Sequence, residues 1–194
     1  DYGIIGLIAL EQFSSEAIRK KIEASPLTRD SRKHKGNVRI AVVTNSTYDG
    51  LCYNAERIKA VAANQVDALH FDEAWYAYAA FHEFYAGRHA MGVPRGHPRA
   101  DHTLVFATHS THKLLAAFSQ ASMIHIQESE KRKIDTTRFN DAFMMHGSTS
   151  PHYGIMASLD VSSAMMEGSS GRAIVQETHD EAMHFRRALA ALGD

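Results

Sequence analysis

Cysteine is almost missing from this chain: Cys52 stands alone among 194 residues. That excludes an intrachain disulfide framework and fits a reducing compartment. A surplus of one charge is missing too, since 21 Lys plus Arg face 22 Asp plus Glu, a formal net charge of -1. No global field recruits nucleic acid or an anionic membrane, so neither is expected as a partner. Long apolar runs are absent as well, none approaching the ~20 residues of a membrane-spanning helix, and the amino-terminal stretch lacks a signal-peptide layout. A cytoplasmic location is the expectation. Repeats and low-complexity tracts do not occur. Histidine, in contrast, is plentiful at 13, but pairs such as His109 with His112 or His82 with His89 lack a recognised zinc spacing with carboxylate or cysteine companions, so no metal is expected.

What remains is 44% hydrophobic and 22% charged, the profile of one sizeable globular domain. Gln12 to Glu23 carries Phe13, Ile18 and Ile22 in loose helical spacing, with Ser14 or Ser15 as a cap. The basic stretch Thr28 to Lys35 reads as a solvated loop. Val38 to Thr44, VRIAVVT, is a β-branched apolar run of the kind buried on both faces of a parallel sheet, and NSTYDG then makes a turn. A helix over Asn54 to Ala63, a second strand over Ala68 to Phe71, a loop from Gly92 to Asp101 and a third strand over Thr103 to Ala107 follow. Ser122 to Ile126 comes soon enough after the third strand to pair with it antiparallel. From Pro151 the chain is mostly helical, interrupted at Gly168 to Gly171. The apolar Met144-Met145-His146 stretch reads as core or interface, and Cys52 as a small apolar filler. Tyr76 and Tyr78 read as packing, while Tyr48 and Asp49 serve the turn or reach a site from the first strand's end.

Alternating strands and helices predict an α/β three-layer sandwich around a mostly parallel sheet. In such sheets ligands bind beyond the carboxyl ends of the strands. Asp72 falls at one such end and Ser110-Thr111-His112-Lys113 at another. Lys113 sits between small polar residues and Leu-Leu-Ala-Ala-Phe, where its ammonium is expected to be poorly solvated. A confined lysine loses its proton more readily, and the neutral amine forms a Schiff base with an aldehyde. An acid at the same edge suits a pyridinium nitrogen, a pairing used by pyridoxal phosphate enzymes. Ser110, Thr111 and His112 offer donors for a phosphate. A snorkelling surface lysine is the plainer alternative on spacing alone.

Four stretches narrow this. NSTYDGLCYNA (45–55), HFDEAWYAYA (70–79), FATHSTHKLLAAFSQASMIH (106–125) and AFMMHGSTSPHYGIMAS (142–158) together resemble the bacterial inducible ornithine/lysine/arginine decarboxylases, fold-type-I pyridoxal phosphate enzymes. The resemblance implies the aminotransferase-like large domain, with residues 1–194 its central part and a fragment of a longer chain. It implies that Lys113 carries the cofactor, that Asp72 holds the pyridine nitrogen protonated, that Trp75 sits near the ring oxygen, and that Ser110 and His112 lie at the phosphate. Thr149 and Ser150, within Ser148 to Pro151, match the stretch reaching the neighbouring subunit's cofactor.

The implied reaction turns a basic amino acid into its amine and CO2, consuming a proton. LLAAFSQASMIH and TSPHYGIMAS are more similar to lysine enzymes, DGLCYNA and FDEAWYAYA to arginine ones, and ornithine is less favoured. A homodimer with a shared site, assembled into a larger ring such as a decamer, is also implied. A non-catalytic relative acting in regulation or assembly, or another fold-type-I reaction such as transamination, stands as the alternative.

Overall fold

The computed structural model describes residues 8–27, 38–92 and 103–193. Four strands form one sheet in the order β1-β2-β3-β4: β1 Val38–Thr44, β2 Val66–Asp72, β3 Leu104–His109 and β4 Met123–Gln127. The first three run parallel and β4 returns antiparallel to β3. Only 13 residues separate His109 from Met123, room for the four-residue helix α3 (Thr111–Leu114) and a turn but not for a parallel crossover. The expected fold class and the antiparallel return are both observed. β2 and β3 each run beyond the expected ends, to Asp72 and His109, because pairing with their neighbours continues there: Thr44 pairs with Asp72, Asp72 with Thr108, and His109 with Met123. Thr103 lies just outside β3 instead, where its buried hydroxyl donates to the Val66 carbonyl at 3.0 Å.

Helices α1 (Ser15–Ala24) and α2 (Ala55–Ala62) begin at side-chain caps. Ser14, rather than Ser15, accepts from the Ala17 N–H at 3.3 Å, and Asn54 accepts from Arg57 N–H at 2.9 Å. Each cap satisfies one of the donors a helix start leaves orphaned. On one face of the sheet, Val43, Leu69, Phe71, Val105 and Ala107 join Ile58 and Ala62 of α2 in the core, with Phe13 and Ile18 packed at its margin. Full burial of a side chain such as Leu69 or Phe71 contributes ~1.5–3 kcal/mol. The opposite face is not covered in the same way: Ile40 and Val42 of β1 are 50% and 64% exposed. Burial on both faces, expected from the VRIAVVT run, is therefore met on one face only, because α1 and α2 both pack on the same side.

Three further helices follow: α4 Thr136–His146, α5 Tyr153–Met165 and α6 Gly168–Ala190. The expected interruption is displaced. Met166 and Glu167 form the break, and Gly168 to Gly171 open α6. Gly168 enters at φ +62°, which glycine adopts without steric cost, and a Cβ on Gly171 would stand 2.2 Å from the Met166 carbonyl oxygen. Met144 and Met145 are exposed rather than core, as α4 buries none of its residues. The loop expected at Thr28 to Lys35, and all but Gly92 of the one expected from Gly92 to Asp101, lie outside the described residues. No described helix is long and apolar enough to cross a membrane.

Candidate active site

The parallel register delivers chemistry to one edge. Asp72 ends β2, opposite Thr44 on one side and Thr108 on the other. One of its carboxylate oxygens accepts from the Ala74 N–H at 3.1 Å, which folds the chain back just past the strand. That turn presents Trp75, half-buried, beside the strand ends. One strand over, β3 gives way to α3, whose first-turn geometry carries the Lys113 ammonium to 4.4 Å from the centre of the Trp75 ring. A cation over an aromatic face is attracted by the ring quadrupole, so the contact fixes where the amine stands. Tyr48, from the turn after β1, meets the same ring edge-on at 5.1 Å.

Lys113 itself is exposed, so the poorly solvated setting expected from its neighbours is not met. α3 projects past the sheet edge, and Trp75 is the aromatic wall it meets there. His112, next to it, is held by two bonds to Ala121: its N–H donates to that carbonyl at 3.2 Å and its Nδ1 donates to the same oxygen at 2.8 Å. Because a carbonyl only accepts, Nδ1 carries a proton and Nε2 is the atom left to face a ligand. Ser110 precedes α3 without capping it. Thr111 departs from the expectation that it offers a hydroxyl at this edge. It is 2% exposed and lines, with His109, His125, Ser162 and Met166, a cavity of about 260 Å³ on the other side of the turn.

Thr149 and Ser150 are not brought to this cluster. They lie exposed in the segment between α4 and α5, where Ser150 N–H bonds back to Ser148 Oγ at 3.1 Å. The histidine pairs weighed for a metal are engaged otherwise. His109 Nε2 donates to Glu73 Oε2 at 2.9 Å, and His82 Nε2 meets Gln176 Oε1 at 2.9 Å. Among the described residues no group of three or more His, Cys, Asp or Glu could hold a metal ion. Tyr76 and Tyr78 do pack, edge-on to one another at 5.7 Å and each against Tyr85, and burial pushes both phenols up.

The sequence reading passed over Glu73. It is 1% exposed, and its Oε1 accepts from Asn45 Nδ2 at 2.7 Å and from the Ala90 N–H at 2.8 Å. A signal was present: Leu69 and Phe71 point inward from β2, and residue 73, one past its end, continues that parity with a carboxylate. Nearby, burial pushes the imidazoles of His89 and His125 down, Glu73 opposing in both cases.

This edge can be set beside known proteins. The profile of the Orn/Lys/Arg decarboxylase major domain matches residues 1–194. The chain belongs to that family. It is 66% identical over 190 residues to the lysine decarboxylase LdcA of Pseudomonas aeruginosa, covering 98% of this chain and 24% of that protein. Against the biodegradative arginine decarboxylase of Escherichia coli it is 52% identical over 193 residues, covering 98% of this chain and 25% of the relative. The solved structure of lysine decarboxylase A from Pseudomonas aeruginosa superposes with a TM-score of 0.89 at 65% identity, over 97% of this chain and 24% of the other. The chain spans about a quarter of the length of the relatives it matches.

Proposed function

We propose that this chain is the cofactor-bearing segment of a pyridoxal phosphate-dependent decarboxylase acting on lysine, with arginine the next candidate. The observation that carries the reading is the meeting of Lys113 with Trp75 at the strand edge that also holds Asp72. Its chemistry fits the cofactor: a primary amine for an aldehyde, an acid for a pyridine nitrogen, an aromatic wall for a planar ring, and at Ser110 and His112 polar groups for a phosphate. Lysine is placed first because the 66% relative is named a lysine decarboxylase and the 52% relative an arginine one.

Bound pyridoxal phosphate supplies the electron sink into which the pair left by departing CO2 flows. The residues of this chain set the conditions. Lys113 would be the amine that holds the cofactor, through its aldehyde carbon. Asp72 would keep a proton on the ring nitrogen, since a carboxylate beside that atom favours its charged form. Trp75 limits where Lys113 Nζ can travel and screens one side of it from water. His112, fixed by Ala121, would offer Nε2 to the phosphate. The exposed Ser148 to Pro151 segment is the part offered to a second copy of the chain, which would complete the site in a homodimer, in the cytoplasm.

The decisive experiment uses the full-length protein with pyridoxal phosphate. A visible absorbance band that vanishes in Lys113→Ala, together with diamine release from lysine exceeding that from arginine and ornithine, is expected. A parent protein with neither band nor amine release would leave the non-catalytic alternative standing.

A further inference from the structure

Glu73 has no place in the chemistry just described, yet it is held more tightly than the residues that do. Glu73 follows directly on the last residue of β2, and because its N–H still pairs with Thr108 O the alternation carries on, so that Asp72 and Glu73 project to opposite sides. Glu73 therefore points into the core side, beneath the edge where Asp72 and Lys113 work. A buried carboxylate is costly unless its lone pairs are met by donors. Here three donors meet it, and they come from three places. Asn45, one residue past β1, donates through Nδ2 at 2.7 Å; His109, the last residue of β3, donates through Nε2 at 2.9 Å; the Ala90 backbone donates at 2.8 Å.

Asn45 is itself pinned, with Nδ2 also donating to the Arg88 carbonyl at 2.8 Å and Oδ1 accepting from Tyr53 N–H at 3.1 Å. The main chain closes the same joint: Asn45 N–H donates to Asp72 O at 2.8 Å and Glu73 N–H to Thr108 O at 3.0 Å. One carboxylate thus ties the ends of β1, β2 and β3 at the level where Asp72 leaves the sheet. Through His109 it holds the residue from which Ser110 and the Lys113 turn begin. The titratable groups around it are His109, His89 and His125.

We propose that Glu73 is a positioning residue for the decarboxylation, setting the spacing between Asp72 and the Lys113 turn by clamping Asn45 and His109. The inference rests on the decarboxylase reading, and a displacement of about 1 Å in such a site costs on the order of 100-fold in rate. The clamp touches neither reacting group, so its loss moves kcat rather than substrate affinity.

The test takes the full-length protein with Glu73→Ala, Glu73→Gln, His109→Ala and Lys113→Ala. In the cofactor-free protein, Glu73→Ala should speed hydrogen exchange of the backbone amides at positions 45 and 73 by about tenfold or more. In the loaded protein, kcat per bound cofactor should fall about 100-fold with KM within about threefold, and the visible band should shift. Glu73→Gln keeps an oxygen for Asn45 and Ala90 and should recover kcat to within about tenfold of the parent.

A role in stability alone predicts a lower unfolding midpoint with unchanged kcat per bound cofactor, and that result overturns the proposal. Should Glu73→Ala fail to fold, His109→Ala and Glu73→Gln decide: both folded with parental kcat and band overturn it, whereas a tenfold or larger kcat loss in His109→Ala supports it. If the parent lacks a band that Lys113→Ala removes, the decarboxylase reading fails and the proposal falls with it. Parental kcat in Glu73→Ala beside an intact Lys113-dependent band overturns the clamp alone.

Discussion

The sheet and the helical tail treat their apolar residues in opposite ways. In the sheet, Leu69, Phe71 and Val105 are wholly buried. In α4, Phe143 is 55% and Met145 81% exposed, and no residue of that helix is buried. Both regions have clean local signals, including an Asp135 side chain that accepts from Thr137 and Arg138 N–H at 3.1 Å to cap α4. Local rules thus make both, but only the sheet finds within these residues the surface its apolar groups need. Among the described residues the tail's apolar face stays open, and an exposed apolar patch of that kind marks a contact surface.

The sharpest way to break that contrast is a pair of truncations in the full-length protein. Leu69→Ala should lower the unfolding free energy by ~2–5 kcal/mol in urea titrations, because a buried leucine leaves a cavity. Met145→Ser should leave the unfolding midpoint nearly unchanged while shifting sedimentation toward smaller species. Equal losses of stability from the two would erase the distinction.

Caps come next in size. Asn54→Ala should cost ~1 kcal/mol of global stability, since α2 is part of the core. Asp135→Ala should instead fray α4 locally, seen as faster amide exchange at Thr137 and Arg138 with the global midpoint kept.

A pH effect follows from the buried imidazoles. Burial lowers His125 and His89 below their unfolded values, so the unfolded state binds more protons as acid is added. Their contribution is complete above the unfolded histidine value of about 6.5 and is lost as pH falls below it. His125→Gln should flatten the fall in stability between about pH 7 and pH 5, and NMR titration of His125 should give a midpoint below the ordinary one. The smallest effect belongs to the exposed Glu16–Lys20 pair at 2.8 Å. Glu16→Gln should change the unfolding midpoint within error, as exposed pairs generally do.

Much of this molecule can be read along the chain. β1 is found at its expected bounds because VRIAVVT is a local pattern, and Ser14 and Asn54 cap helices because an oxygen before a helix start is a local device. Two of the four motif stretches, 70–79 and 106–125, also mark the edge where Asp72, Trp75, Ser110, His112 and Lys113 collect. What could not be read depends on register. Glu73 meets Asn45 across 28 residues and His109 across 36. Nothing in the neighbours of any one of them announces the others.

The exposure of Lys113 and of Met145, and the open outer face of β1, escaped the sequence for the same reason. Residue type and spacing fix which elements form and which face of each is apolar, since those follow from backbone geometry within a few residues. Which apolar face is covered, and which distant donor reaches a carboxylate, is decided when parallel strands lock in register. That locking is a property of the packed sheet and not of any short stretch in it.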